Sequence, residues 1–249
     1  MLARFVPLAL AARGLSIAAV TLAIAGVREA KACGVSGPGG VEACSLEEHD
    51  ESERPKFRVG VSALYTSTSI SFSDGSQADE TRQAILATLS YLPTSRLSLQ
   101  AGLGATLGGH LTLGGTSSDF APGPTATLGA SYRVLDGAGA RPFVVLSALV
   151  SFEATTTTGD VGYTALDLRL GGVVGWSIAG VVSPFLSARA FGGPVFWRNA
   201  AGASVTGTDT SHYQVGGGVA VLVAKRVDVF AEGIPLGERA ISGGVGVAF

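Results

Sequence analysis

The amino-acid sequence predicts an all-β fold: a closed antiparallel transmembrane β-barrel of ten strands, with eight strands as the alternative. From Phe57 onward, apolar and small polar residues alternate with period two in segments of about ten residues. Charged residues make up only 14% of the chain, and the mean hydropathy is +0.41. The longest apolar run, from Gly14 to Val27, is nevertheless shorter than the roughly 18 residues of a membrane helix. A soluble β-sandwich shares the alternation, but it would carry more charge on its exposed faces.

The chain begins with a segment that we exclude from the fold. Arg4 and Arg13 precede the apolar run, and Ala30-Lys31-Ala32 after it is a small-x-small cleavage site. We therefore expect residues 1–32 to be a cleaved secretory signal peptide. Lipoprotein processing, with acylation of Cys33, is the alternative, although Ala30 and Lys31 fit that signal poorly.

Residues 33–56 form an acidic segment with almost no large apolar side chain, which predicts a periplasmic tail outside the barrel. Both cysteines of the chain, Cys33 and Cys44, lie in it. Because an exported chain meets an oxidising environment, we expect a Cys33–Cys44 disulfide. A metal site formed by these cysteines and His49 would lack a recognisable fourth ligand, and the sequence indicates no metal and no cofactor.

Removal of residues 1–32 takes four of the 17 basic residues and one of the 19 acidic ones, leaving 13 and 18. A mildly acidic chain without a clustered basic face gives no support to nucleic-acid binding.

Ten alternating segments make up the predicted barrel domain, residues 57–249. They span residues 57–71, 82–92, 96–112, 124–135, 141–154, 162–177, 184–197, 212–224, 227–235 and 240–249. The connections that follow odd-numbered segments are longer than those that follow even-numbered ones, except for the last one, 236–239. This alternation predicts longer loops at the outer end and short turns at the inner end, where both barrel termini lie.

The third segment shows the predicted face assignment most clearly. Its leucines and alanines, through Leu111, would face lipid, whereas its Gly, Ser, Gln and Thr residues and His110 would face the lumen. The same parity leaves no charged residue on the lipid-facing side of the second, third, sixth and eighth segments. That absence fits a barrel, because a charge facing midplane lipid costs about 2–4 kcal/mol.

Outward aromatic residues predict two interfacial girdles, since amphipathic rings favour the membrane boundaries. The inner girdle comprises Phe57, Tyr91, Tyr132, Trp176 and Phe249. The outer girdle comprises Tyr65, Phe152 and Tyr213. Gly192-Gly193-Pro194 breaks the alternation, which predicts a β-bulge that turns Trp197 outward into the outer girdle.

Inward positions hold acids and bases of mixed sign, which we expect to pair as a network across the lumen. The predicted network consists of Asp167, Arg169, Arg189, Glu232, Glu153 and Asp228; Arg58, Arg82 and Arg133 also face inward. The same residues would line a narrow hydrophilic passage if the lumen is open.

No catalytic motif stands out. His110 with Asp119, and His212 beside Asp209, suggest a hydrolase at the outer rim, but their spacing is generic. Asp74, Asp79 and Glu80 in the first outer connection are best explained as a solvated acidic loop, with a divalent-cation site as the alternative.

The last segment ends on Phe249, with Val247, Gly244 and Ser242 two, five and seven positions earlier. This pattern resembles the C-terminal assembly signal of bacterial outer-membrane β-barrel proteins, and the region from Phe57 onward resembles small porin-like and surface-antigen-like barrels. The resemblance implies location in the outer membrane, contact with its lipid and lipopolysaccharide, and handling by periplasmic chaperones and the assembly machinery. One fold hosts many functions; our first hypothesis is a non-enzymatic integral barrel, either a narrow porin-like passage or a structural or surface-interaction protein. An omptin-like protease or a lipid A deacylase-like hydrolase is the alternative.

Overall fold

The computed structural model describes residues 33–34, 43–44, 55–137, 141–159, 161–198 and 202–249. The predicted signal peptide and most of the predicted acidic tail lie outside these residues. Within the described ranges, no helix is long and apolar enough to cross a membrane.

All regular structure in these ranges is β. The strands are β1 (Cys33–Gly34), β2 (Ala43–Cys44), β3 (Phe57–Phe72), β4 (Gln77–Tyr91), β5 (Leu97–Leu113), β6 (Thr116–Asp119), β7 (Gly123–Asp136), β8 (Phe143–Thr157), β9 (Val161–Gly175), β10 (Val182–Gly192), β11 (Val195–Arg198), β12 (Ser204–Asp209), β13 (Tyr213–Ala224), β14 (Val227–Gly237) and β15 (Arg239–Ala248).

Ten of these strands close an antiparallel barrel, as predicted, in the order β3, β4, β5, β7, β8, β9, β10, β13, β14, β15. The seam pairs β15 with β3, from Arg239 opposite Ser67 to Ala248 opposite Arg58. It ends in reciprocal backbone hydrogen bonds between Phe57 and Phe249, at 3.1 and 2.9 Å. The predicted pairing of the last segment with the first is therefore confirmed.

At its outer end the barrel narrows to eight strands. There β12 pairs directly with β3, β11 pairs with β9 and β12, and β6 extends the β5 hairpin. Phe120, just after β6, bridges to Thr157 of β8. The β14–β15 hairpin enters from the inner end as a wedge between β13 and β3 and ends at Glu238. Both strand numbers considered from the sequence thus occur, at different heights of one barrel.

Much of the sequence predicted as outer loops is strand. The predicted connection 73–81 is a turn of residues 73–76 followed by the start of β4, and β6 and β12 lie within two other predicted loops. The Ser, Thr and Asp residues of these stretches resemble loop composition. They form strands here because this part of the barrel has a polar exterior.

A register shift on β5 reverses the predicted orientation of its outer half. Gln83 pairs with Gly108 but Ala84 with Thr106, so Leu107 is an additional residue on β5. Beyond this bulge Leu111 is buried in the interior and His110 is exposed on the outside. The predicted lipid-facing Leu111 and lumen-facing His110 were therefore wrong, because one inserted residue inverts every following side chain.

The predicted bulge at Gly192-Gly193-Pro194 was wrong as well. Gly192 pairs with Leu168 and Val195 with Ala165, so the register against β9 continues unchanged across Pro194. Trp197 consequently points inward, with 8% of its surface exposed, whereas Phe196 is 49% exposed on the outside. A bulge does occur on β14, where Val215 pairs with Leu236 and Gly217 with Gly233. It accommodates Pro235, so that this strand extends two residues beyond the predicted 235.

The outer surface changes polarity along the strands. On β3, the outward residues from Phe57 to Tyr65 are apolar or aromatic, whereas those above them are Ser67, Ser69 and Ser71. The apolar stretch covers nine residues, which is the length at which a tilted strand crosses a bilayer. The inward face changes in the opposite sense, from Arg58, Ser62 and Thr66 to buried Ile70 and Phe72.

We call the part of the barrel beyond this change the head. Its described residues are 67–81, 108–121, 154–159, 161–165, 194–198 and 202–211. Its interior is an apolar core made of Ile70, Phe72, Ala78, Leu111, Phe120, Tyr163, Ala165, Val195, Trp197 and Val205. Phe72 packs on Trp197 at 5.4 Å between ring centroids, and Phe120 meets Tyr163 edge-on at 4.9 Å.

In the segment before the barrel strands, Cys33 of β1 lies directly opposite Cys44 of β2. Opposite Cα atoms in antiparallel pairs are about 4.5–5.5 Å apart, within the range that a disulfide bridges. The backbone pairing is compatible with the Cys33–Cys44 disulfide, which remains a prediction.

Candidate functional site

The largest group of charged side chains inside the barrel lies directly beneath the head core. We call it the polar layer. Its members are Glu80, Arg82, Glu153, Asp167, Arg169, Arg189, Glu232 and Glu238. They come from β4, β8, β9, β10, β14 and the β14–β15 turn, and all of them face the lumen. For the strand residues, the alternation along each strand places every second side chain there.

Two guanidinium groups of the polar layer each bridge two carboxylates. Arg82 pairs with Glu80 at 2.5 Å and with Glu153. Arg169 pairs with Asp167 at 2.5 Å and with Glu238 at 3.1 Å, and its guanidinium lies 4.9 Å from the centroid of the Phe191 ring. Each bridge neutralises charges that would otherwise be costly to bury.

The third arginine forms a separate pair. Arg189 donates to Glu232 at 2.7 Å, and the Ser187 hydroxyl donates to the same carboxylate at 2.7 Å. Four members of the predicted network are thus divided between two assemblies: Asp167 with Arg169, and Arg189 with Glu232.

Neutral donors complete the layer, which holds five carboxylates and three guanidinium groups. Tyr163 donates its hydroxyl to Glu80 at 2.8 Å, Thr106 donates to Glu153 at 2.7 Å, and Gln214 donates its amide to Glu238 at 2.8 Å. These three carboxylates, each with one arginine, therefore accept a further hydrogen bond, which lowers the free-energy cost of burying them.

The polar layer includes two residues that the sequence predictions missed as lumen groups. Glu80 and Glu238 were assigned to outer connections, but both are 1% exposed and point inward. A continuation of the period-two pattern through Ala78 and Glu80 would have identified Glu80. Glu238 lies in a turn, where no periodicity exists to place it.

Little free space remains around these charges. Two adjoining cavities, of about 40 and 60 Å³, share Arg82, Thr125, Ser151, Glu153 and Arg169 in their walls. A water molecule requires about 10–15 Å³ of such volume, so the two cavities hold a few waters each.

Below the polar layer the lumen is filled by aromatic and aliphatic side chains. Phe143, Val145, Val173 and Phe185 form one cluster, and Ala220 and Phe230 form another. Glycines on neighbouring strands make room for these rings: a Cβ on Gly218 would come within 2.7 Å of Phe185, and one on Gly244 within 2.6 Å of Phe230. At the innermost level, buried Arg58 pairs with buried Asp228. Asp228, grouped with the predicted network, is thus far along the barrel from the polar layer.

The other predicted positions are distributed over the surface. Phe57, Tyr65, Tyr91, Tyr132, Phe152, Trp176 and Tyr213 are all exposed on the outside. Of the predicted assembly-signal residues, Ser242 is buried and Gly244 lies against Phe230 inside, whereas Val247 and Phe249 are exposed.

Of the histidines within the described residues, His110 and His212, neither lies near the polar layer. His110 is exposed on the outside, 3.0 Å from the Thr81 hydroxyl through Nδ1, and Asp119 is its cross-strand neighbour. His212 is exposed between β12 and β13. Among the described residues, neither ring forms an ion pair with a carboxylate.

The acidic residues of the first outer connection do not converge. Asp74 accepts hydrogen bonds from the Ser76 hydroxyl and amide, which lower the pKa of its carboxyl. Asp79 accepts from Ser69 at 2.6 Å outside the barrel, whereas Glu80 points inward. Across the part of the chain that the structure describes, no three His, Cys, Asp or Glu side chains are arranged to hold a metal ion.

The closed ring, the nine-residue apolar exterior and the buried ion pairs inside it identify the environment of the barrel. In hydrocarbon, every backbone polar group must be paired within the protein, which a closed barrel achieves. The chain is an outer-membrane β-barrel. Its lipid-facing belt includes exposed Leu103, Leu128, Leu170, Leu186 and Ile241.

No protein-family model matches the chain, and no curated protein matches it. Among solved structures, it is similar to the outer membrane protease OmpT of Escherichia coli, with a TM-score of 0.48 and 11% identity, over 79% of this chain and 98% of that one.

It is also similar to the translocator domain of the autotransporter NalP of Neisseria meningitidis, with a TM-score of 0.43 and 15% identity, over 80% and 90% of the two chains. For the transport unit of the autotransporter AIDA-I of Escherichia coli, the TM-score is 0.42 and the identity 10%, over 82% and 93%. Similarities this distant transfer neither a protease nor a translocator activity to this chain.

Proposed function

We propose that this chain is a non-conducting, non-enzymatic outer-membrane barrel that holds the head beyond the membrane as a structural or surface-interaction element. The observation that carries the proposal is the filled lumen. The head core, the polar layer and the inner aromatic clusters follow one another along the axis, and the two cavities between them have room only for a few waters.

The head supports a role in surface contacts. On β3 it extends seven residues beyond Tyr65, which corresponds to about 15–20 Å for a tilted strand. With a polar exterior and its own apolar core, the head resembles a water-soluble barrel continuous with the membrane-spanning one.

Planar-bilayer recording of the purified protein tests the sealed lumen. We expect no conductance steps from the wild type. In a variant with both Phe120→Ala and Trp197→Ala, conductance would identify the head core as the seal. Reproducible wild-type conductance that Arg169→Ala or Glu232→Ala changes would contradict the proposal and favour a narrow passage.

Cysteine labelling of intact cells tests the orientation of the head. In a background with Cys33→Ser and Cys44→Ser, Thr116→Cys lies in the β5–β6 hairpin of the head and Ser95→Cys in an inner turn. Both positions are exposed. A membrane-impermeant maleimide should label the first and not the second; labelling only of Ser95→Cys would reverse the orientation.

A rim hydrolase is the second candidate, and one observation favours it. Thr81, His110 and Asp119 lie side by side on neighbouring strands, in a hydroxyl, imidazole and carboxylate sequence. Hydrolysis of peptide or lipid A by the wild type that His110→Ala abolishes and His212→Ala retains would support it. Equal activity in both variants would remove it.

A further inference from the structure

A ring of basic side chains surrounds the inner end of the barrel. We call it the inner rim and define it as Lys56, Arg96, Arg141, Lys225 and Arg226. All five are exposed. They lie just before β3 and in the β4–β5, β7–β8 and β13–β14 turns. The exposed acid among the described residues of these inner turns is Asp136, which pairs with Arg96 at 3.4 Å.

The excess of positive charge is confined to this end. Both lysines of the described ranges, Lys56 and Lys225, belong to the inner rim. Exposed charges at the outer end have mixed signs: Asp74, Asp79 and Asp119 are acidic, and Arg198 and Arg239 are basic. The net charge of the whole chain is only −2, so the rim is a local feature rather than a consequence of composition.

Contacts with the inner aromatic girdle place the rim at the depth of lipid headgroups. Arg96 directly precedes Leu97, which lies opposite Tyr132, an outward girdle residue. Lys56 directly precedes Phe57, whose ring stacks on Tyr91 at 5.2 Å and on Phe249 at 6.2 Å. Long cationic side chains beside interfacial rings extend toward the headgroup layer.

We propose that the inner rim binds the phosphate groups of anionic phospholipids in the leaflet at the inner end of the barrel. The cations lie at the perimeter, beside the lipid-facing girdle. By contrast, Arg58, an inward cation at this level, is already paired with Asp228. Each basic residue near an anionic membrane surface favours binding by roughly fivefold at low salt. The proposal is independent of whether the lumen conducts.

Lipid retention measured by native mass spectrometry tests the proposal. The full chain is reconstituted in vesicles of phosphatidylcholine with one-fifth phosphatidylglycerol and then released into mild detergent. We expect phosphatidylglycerol adducts enriched at least fivefold over their share of the vesicle lipid, with the enrichment falling as salt rises. A variant with Lys56→Gln, Arg96→Gln, Arg141→Gln, Lys225→Gln and Arg226→Gln should lose the enrichment.

Two further variants make the result specific. Arg198→Gln with Arg239→Gln removes two exposed cations from the outer end and should retain the enrichment. Lys225→Gln with Arg226→Gln alters one turn and should reduce it partly, even if the five-site variant fails to fold.

Three outcomes would overturn the proposal. They are equal retention of both lipids by the wild type, unchanged enrichment in the rim variants, and enrichment that occurs only after deletion of residues 42–53. The last result would mean that the six carboxylates of that stretch, and not lipid, occupy the rim.

Discussion

Glu238 occupies the tip of the wedge, where β13 leaves its pairing with β14 and β3 leaves its pairing with β15. Its backbone N–H donates to the Tyr213 carbonyl, and its carboxylate accepts from Arg169 and Gln214. One side chain therefore links the tip of the hairpin to β9 and β13.

Replacing this carboxylate should weaken the barrel. We expect Glu238→Ala to lower the free energy of unfolding by about 1–3 kcal/mol, because it leaves Arg169 with one buried acid and Gln214 without its acceptor. Urea unfolding in phospholipid vesicles measures the change. Arg239→Gln, at the exposed neighbouring position, should stay within about 0.5 kcal/mol of the wild type; equal effects would contradict the role assigned to Glu238.

Asp209 belongs to the head, above the outer girdle, where Thr68 donates to it at 3.0 Å. Burial, and then the nearby Glu238, raise the pKa of Asp209 to about 6. Because the folded state holds the Asp209 proton more tightly than the unfolded state does, the contribution of protonated Asp209 to the free energy of unfolding is fully present below about pH 4. It is lost as the pH rises through 6.

We therefore expect the wild type to be less stable at pH 8 than at pH 4, with up to about 3 kcal/mol from this group. Asp209→Asn should flatten that part of the profile. Urea unfolding at a series of pH values checks this, and an unchanged slope in Asp209→Asn would contradict it.

At the scale of elements, the β11–β12 hairpin decides how the outer end closes. It continues β10 and β13 beyond the end of β14 and β15, so that β12 pairs with β3 where β15 has ended. It delivers Val195, Trp197 and Val205 to the head core. The absence of a bulge at Pro194 is what directs these side chains inward.

Truncation of two neighbouring residues of β11 should lower the free energy of unfolding by very different amounts. Trp197→Ala should cost about 3–5 kcal/mol, because it leaves a cavity among packed rings, whereas Phe196→Ala, on the outside, should cost less than about 1 kcal/mol. Equilibrium unfolding distinguishes the two, and a larger loss for Phe196→Ala would mean that the parity of β11 is reversed.

The two tryptophans of the chain provide a spectroscopic test of the same parity. Trp176 faces outward at the inner girdle and Trp197 faces the head core. In vesicles of brominated phospholipid, the tryptophan fluorescence of the Trp197→Phe variant, which retains Trp176, should be strongly quenched. The fluorescence of the Trp176→Phe variant should be quenched little; equal quenching would place both rings in lipid.

At the scale of the whole molecule, one set of strands builds two environments. Up to the outer girdle, the exterior is apolar and the interior holds buried ion pairs. Beyond it, the exterior is rich in Ser and Thr and the interior is apolar. The inversion sets the height of the membrane on the barrel.

An arginine placed on the outside should therefore have a cost that depends on its height. Leu103→Arg, at a position 72% exposed near the middle of the belt, should cost about 2–4 kcal/mol. Ser69→Arg, on the head beside Asp79, should be nearly neutral. Folding in vesicles, followed by heat-modifiable gel mobility, measures both, and equal costs would contradict the assigned membrane boundary.

The sequence by itself determined the closed barrel, its lipid-facing belt and the pairing of the last strand with the first. The alternation of apolar and polar residues and the distribution of glycine and charge are local properties, which can be read from short segments of the sequence. The inward acids Asp167, Glu153 and Glu232 followed from the same period.

Only the tertiary structure decided where that period shifts and where polarity inverts. The inserted Leu107 reversed Leu111 and His110, and the absence of a bulge kept Trp197 inside. Glu238 was placed by the end of the β14–β15 wedge. The position of a bulge or a hairpin end depends on which strands are neighbours, and the sequence does not show this. The polar exterior of the head has the composition of loops, so its strands are recognised only from their pairing.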